Sequence, residues 1–371
     1  MNEETIAIRA YTVPKKSNLG KNKPKSYKRP DDNANPTFDR VLVFDTETTT
    51  DLYQNLKFGY FETYQYGVLE EKGLFYDPII VKPKELAILE SYSNENNISL
   101  YTLEDFRKIF LGEVYDLQTL CIGFNLPFDL TRIVLKSTNA RKRKDAFSLE
   151  LSKNLKYPRL YVTHATNTLS FIEWANSMIW NGFKGNFVDL RTLCHALTDT
   201  KHSLESACKA FDTEFQKYKA KEHGVINTTY INYCINDVKS TYSLYQNTKK
   251  EFDTYGLKIP VIRAYTPASI GKEFLKKMGV KPFFDKSPKF SNEIIGNIMT
   301  GYFGGRTECK IRKTPVKVDV LDFLSMYPTV CTLQNLWKFV IADHIEHVEA
   351  TQEIIQFVDG VTLRDIQNKE N

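Results

Sequence analysis

Short apolar runs that stop at a carboxylate punctuate the N-terminal and middle parts of the chain. Val41, Leu42, Val43 and Phe44 lead into Asp45, with Glu47 two positions on. Leu120 to Phe124 leads into Asn125-Leu126-Pro127-Phe128-Asp129-Leu130. Brief continuous apolar runs fit strands buried on both faces. Side chains two apart on a strand share a side, so Asp45 and Glu47 present their carboxylates together. Like charges at the edge of an apolar sheet are costly without a cation, and oxygen donors suit a divalent metal. A second reading stands beside it: a strand closing in a polar turn, with Thr46, Thr48, Thr49 and Thr50 bonding the loop.

The remaining pattern predicts the elements around these strands. Two segments rich in Tyr and Phe, about 58–68 and 73–81, read as a hairpin separated by Glu70 to Gly73. A helix is predicted over about 102–111, with Thr102 as N-cap and Asp105 in the first turn. Pro127 suits the first turn of a helix reaching about Leu135, which brings Asp129 to the same sheet edge. Strand-like alternation runs through Phe171, Trp174, Ile179 and Phe187 to Val188-Asp189-Leu190. Asp189 reads either as an acid of the site or, better, as a cap or turn residue before Arg191 to Leu197. Ser203 caps a short helix to Phe211, and a longer helix spans Thr228 to Tyr245. On the longer helix Tyr230, Tyr233, Asp237, Ser240, Thr241 and Leu244 fall at spacings of three and four. An Asp on such a stripe needs a partner. A metal shared with Asp45 supplies one, and a plain surface contact with Tyr233 is the alternative.

Composition narrows the class. With 42% apolar residues, 21 Tyr and 24 Phe, the 371 residues are ample for two or three cores. No run is long enough to cross a membrane and no apolar leader opens the chain, so a cytoplasmic protein is expected, nucleoid-associated if prokaryotic. Six widely spaced cysteines without a CxxC pair argue for reduced thiols and against a zinc ribbon. The net charge of +5 is uneven. Residues 1–30 carry eight Lys or Arg and two Glu, so the remaining chain, with 42 basic and 43 acidic residues, is nearly neutral. Residues 1–37 therefore read as a mostly disordered basic arm with a short strand in Ile6 to Val13, suited to nucleic acid or merely solubilising. The basic block Asn139 to Asp145 reads as a solvated loop or a phosphate contact. His344 and His347 read as a solvated helix face rather than a metal pair.

In chain order, D-T-E on a strand, N-L-P-F-D at a strand-to-helix turn and Y-C-I-N-D on a helix resemble the DEDD 3′–5′ exonuclease superfamily. Position 232 is Asn rather than His, so Tyr233 puts the resemblance in the tyrosine branch, typical of polymerase proofreading domains. Further on, Tyr302-Phe303-Gly304-Gly305-Arg306 resembles the Y-x-G-G segment of family B DNA polymerases. Asp322-Phe323-Leu324-Ser325-Met326-Tyr327-Pro328 resembles their first palm motif. The protein-primed and mobile-element branches are the most similar, over roughly residues 40–340.

The resemblance implies an α/β protein: a ribonuclease-H-like mixed sheet flanked by helices, followed by a partial palm. Its expected parts are a tail to 37, an exonuclease domain over 38–250, a helical connector over 251–300 and a palm start over 301–371. It implies two Mg2+ or Mn2+ ions on Asp45, Glu47, Asp129 and Asp237, with Asp45 bridging and Tyr233 orienting water. Asn125, Phe128, Tyr302, Gly304 and Gly305 would contact single-stranded or frayed DNA 3′ ends. Asp322 and Tyr327 would be remnants of a polymerase site, because no second palm carboxylate motif and no nucleotide-binding fingers motif follows. Three functions are implied: a proofreading-type exonuclease, a polymerase fragment needing a second fragment, or a non-catalytic nucleic-acid-binding module.

Overall fold

The computed structural model describes residues 38–368 apart from 142, 144, 167–168, 176–181, 215–223, 301–309, 320, 322 and 344–347. The basic tail, Ile179, Tyr302, Gly304, Gly305, Asp322, His344 and His347 lie outside the described residues. The chain divides into two compact units, Met1–Gly271 and Lys272–Asn371.

The first unit is built on strand β1 (Arg40–Thr48), which carries the D-T-E motif. β1 pairs antiparallel with β2 (Leu56–Gln65), and β2 with β3 (Val68–Tyr76). The hairpin turn is Tyr66-Gly67, not Glu70 to Gly73 as the sequence suggests. Both turn residues have left-handed backbone, φ 50° and 79°, the geometry of a two-residue hairpin whose twist matches its strands. Glu70 to Gly73 therefore lie within β3.

Helix α1 (Pro83–Asn96) and strand β4 (Ser99–Thr102) follow, β4 adding in parallel to β3. Helix α2 (Leu103–Leu111) starts where predicted, Thr102 accepting the Asp105 N–H at 3.2 Å. β5 (Leu120–Gly123) lies parallel to β1. Helix α3 (Leu126–Arg132) stops short of Leu135. The Arg107 guanidinium takes the Ile133 carbonyl at 2.7 Å, and the chain turns into β6 (Lys136–Asn139).

β6 opens a separate antiparallel sheet with β7 (Ala146–Glu150), β8 (Leu160–Thr166) and β9 (Leu169–Trp174). β10 (Phe187–Asp189) returns to the first sheet, parallel to β5. Helices α4 (Leu190–Thr198), α5 (Leu204–Ala210) and α6 (Thr228–Thr254) complete the unit, α6 running nine residues beyond its expected end at Tyr245.

The main sheet has the order β10-β5-β1-β2-β3-β4, with β2 antiparallel to its neighbours. This is the mixed, ribonuclease-H-like sheet expected, and β1 sits in its interior. Alternation along β1 serves two cores. Val41 and Val43 pack with Phe58, Ile231, Cys234 and Val238 on the α6 side. Leu42 and Phe44 pack with Phe61, Phe75, Phe106 and Phe110 on the α2 side. By the same period Asp45 and Glu47 follow Val41 and Val43 and face α6.

Helix α7 (Pro267–Lys277) spans the division between the units. The second unit continues with α8 (Phe283–Lys286), α9 (Asn292–Thr300), α10 (Met326–Leu333), α11 (Trp337–Ile341), α12 (Thr351–Gly360) and α13 (Leu363–Asn368). None of its described residues is buried. Among the described residues no helix is long and apolar enough to cross a membrane.

Candidate active site

The end of β1 and one face of α6 bring chemistry to a single place. Donor atoms of Asp45, Glu47 and Cys234 all lie within 4.8 Å of one another. The Cys234 thiol is 3.8 Å from the Asp45 carbonyl and 3.9 Å from its carboxylate. Tyr230 donates its hydroxyl to Glu47 Oε2 at 2.5 Å. Tyr230, Cys234 and Asp237 follow at steps of four and three, so one stripe of α6 carries all three towards β1.

Asp237 is 4% exposed and Glu47 8% exposed, both deep for carboxylates. Burial first, and then the fields of Asp45, Glu47, Asp237 and Asp129, push the Cys234 thiol far above its ordinary range. That thiol stays protonated beside the Asp45 and Glu47 carboxylates. Burial and the Glu47 charge likewise push the Tyr230 phenol well up, so it remains a donor.

Asp129 arrives from the other motif. Its carboxylate accepts the Thr46 N–H at 3.2 Å and the Thr46 hydroxyl at 2.6 Å, which pins the start of α3 to the centre of D-T-E. Burial pushes the Asp129 carboxyl up to about 7 against the pull of those bonds, with Asp189 adding to the rise. Asp129 and Asp237 are not among the three whose donor atoms lie within 4.8 Å of one another.

Asp189 stands at the N-cap of α4, as expected, and also serves the neighbouring helix. Its carboxylate accepts the N–H groups of Asn125 at 2.9 Å and Leu126 at 3.2 Å, satisfying the first turn of α3. Thr192 donates to its second oxygen at 2.9 Å. Asn125 stands ahead of α3 in left-handed conformation, φ 65°, and its side-chain oxygen accepts from Arg191 at 3.2 Å. A polar cleft of about 540 Å³ opens beside it, lined by Asn125, His164, Ser170, Asp189, Arg191 and Lys201. Phe128 is half-buried, with the Arg132 guanidinium 4.4 Å above its ring.

Tyr233 is partly buried, its ring 6.3 Å from that of Tyr230 at 28°. Of the basic block, Arg143 is paired with Glu173. Tyr327 lies on α10, 70% exposed. Sequence reasoning missed Thr46 as the partner of Asp129 and Cys234 as a neighbour of the acids. It placed Tyr230 on the right face without giving it a task. The signal for Cys234 was its helical phase, three residues before Asp237.

Residues 204–370 match the family described as DNA polymerase type B, organellar and viral. The match runs from α5 into α13 and takes in Tyr233, Asp237 and the D-F-L-S-M-Y-P segment; Asp45, Glu47 and Asp129 precede it. No curated protein matches the chain.

Proposed function

We propose, on the premise that residues 204–370 are a family B DNA polymerase region, that the first unit is its 3′–5′ exonuclease. The observation that carries this reading is the meeting of the Asp45 and Glu47 carboxylates at the end of β1, with Asp129 bonded to Thr46 between them and Asp237 buried on α6. Their donor chemistry fits hard divalent cations: Asp45 and Glu47 bring two carboxylates together in a half-buried corner, and carboxylate oxygens outnumber the single thiol. Asp45, Glu47 and Asp237 would hold one ion and Asp129 a second, Mg2+ or Mn2+ in each place. Such ions, when bound, neutralise charge on the scissile phosphate and acidify water.

The chain's own groups do the rest. Tyr233 orients the attacking water, since a phenol with an ordinary pKa of about 10 is a poor base. The water oxygen forms a bond to phosphorus and gives its proton to solvent, the bond to the 3′ oxygen breaks, and that oxygen takes a proton back from solvent. A nucleoside monophosphate departs and the strand is one residue shorter. Asn125 and Arg191 at the cleft, with Lys201 beside them, receive the sugar-phosphate backbone of a frayed DNA 3′ end, and Phe128 offers a ring edge for a base. Digestion of 5′-labelled single-stranded DNA in Mg2+, beside Asp45→Ala with Glu47→Ala, tests the reading. Full activity in the double variant sinks it.

A second reading concerns the C-terminal unit. Its described residues bury nothing, and Leu321, Phe323 and Leu324 are 92%, 77% and 94% exposed beside the palm-like motif. This favours a polymerase region completed by a further fragment, and primer extension by this chain alone should give no product.

A further inference from the structure

We infer that Tyr230 is a positioning residue that holds the Glu47 carboxylate in the orientation in which it accepts a divalent cation. The inference rests on the nuclease reading above. Glu47 stands directly across from Phe58 in the β1–β2 ladder. The Tyr230 ring meets Phe58 edge-on, at 5.3 Å and 83°, so one aromatic contact places the phenol over the strand position opposite Glu47. From the helix side, Asn227 caps α6 by accepting the Tyr230 N–H at 2.8 Å. Tyr230 is 2% exposed, and its hydroxyl has one carboxylate oxygen, Glu47 Oε2, at 2.5 Å.

The consequence is electrostatic and geometric. Asp45 and Glu47 repel each other across a distance under 4.8 Å, and a free glutamate would swing away to relieve this. The phenol takes one lone pair of Oε2 and fixes the side-chain torsions. So held, Glu47 keeps a donor oxygen within 4.8 Å of those of Asp45 and Cys234, the corner where a cation would be taken. Groups that orient a metal ligand in this way tune its affinity for the ion. Tyr233, one step along the same helix, has the separate task of orienting water. The two tyrosines thus divide between ligand and water.

Tyr230→Phe keeps the ring on Phe58 and removes only the hydroxyl. Binding of Mn2+, followed by loss of the free-ion electron paramagnetic resonance signal, should weaken by about 10–100-fold, the usual cost of removing such a group. The metal concentration for half-maximal hydrolysis should rise by the same factor, with the rate approaching wild type at saturating metal. Tyr233→Phe should do the reverse, lowering the saturated rate and leaving Mn2+ affinity in place. Asn227→Ala, which loosens the cap carrying Tyr230, should shift Mn2+ affinity in the same direction by a smaller factor.

Unchanged Mn2+ binding in Tyr230→Phe overturns the inference. So does a loss of affinity that only tracks a loss of folded protein, measured by melting in chelator. If Asp45→Ala with Glu47→Ala has lost Mn2+ binding while Tyr230→Phe keeps it, the inference fails and the nuclease reading stands. If the double variant itself still binds Mn2+ like wild type, the reading fails and takes the inference with it.

Discussion

The two units use apolar residues in opposite ways. Around β1 nearly every apolar side chain is spent: Leu42, Val43, Phe58 and Phe61 are fully buried, and two cores sandwich the sheet. In the described part of 272–368 the apolar residues are as frequent but open to solvent, Leu333 at 80% exposure among them. The difference lies in what the elements have to pack on. A sheet with two apolar faces gives α2 and α6 a surface each. Helices as short as α8, α10 and α11 are marginal without such a surface. The buried unit can therefore hold carboxylates at fixed separation, which chemistry on a phosphate requires. Among its described residues the open unit buries none beside its motif.

The sharpest test of this contrast removes charge from the buried corner. Asp45→Ala with Glu47→Ala should cut nuclease activity by at least about a thousandfold, the scale at which lost preorganised electrostatics registers. Folding should hold or improve, since two facing like charges are gone. A melt in chelator beside the digestion assay separates the two effects.

Next in size is core truncation, which should read differently in the two units. Phe44→Ala empties a site packed against Phe106 and Phe110, at ring separations of 5.6 and 5.8 Å, and should cost about 3–5 kcal/mol in urea denaturation. Phe323→Ala removes an exposed ring and should stay within about 0.5 kcal/mol. Equal costs would mean that the C-terminal unit has a core in solution.

A smaller effect is expected at Lys57. Its ammonium is buried, paired with Glu85 on α1, and donates at 2.6 Å to the Gly224 carbonyl just ahead of α6. Lys57→Met should destabilise by about 2 kcal/mol, because the half-buried Glu85 loses its charged partner and keeps only the N–H groups of Lys82 and Ile226. Hydrogen exchange at the first turn of α6 should rise most.

Much of the first unit was legible because period and caps spoke together. Val41 to Glu47 gave both the buried strand and the facing of its two acids, and Thr102 and Ser203 marked their helices by capping chemistry. The hairpin turn is not legible because a run of charges, Glu70 to Lys72, looks like a turn but lies within β3. The real turn is set by two left-handed residues, and a tyrosine advertises that poorly. α6 outran its prediction because its last turns pack through single residues such as Phe252 rather than a clear stripe. Contacts between segments far apart in sequence were the least legible. Asp189 capping α3, Thr46 holding Asp129 and Tyr230 holding Glu47 each join such segments, and no local pattern announces them.

The smallest expected effect lies at the cleft beside Asn125. Arg191 and Lys201 are its cationic lining residues, and neither touches the acids through any bond described above. If they receive phosphates, each contributes counterion release on binding a single strand. Replacing both by glutamine should flatten the slope of log affinity against log salt by about 0.7 per lost contact. The saturated rate of hydrolysis should change little, because the carboxylates are untouched. Binding of fluorescent single-stranded DNA to the Asp45→Ala, Glu47→Ala background, with and without the two glutamines, reads this directly without digestion. An unchanged slope would assign the cleft to something other than the strand and leave Asn125 without neighbours in that task.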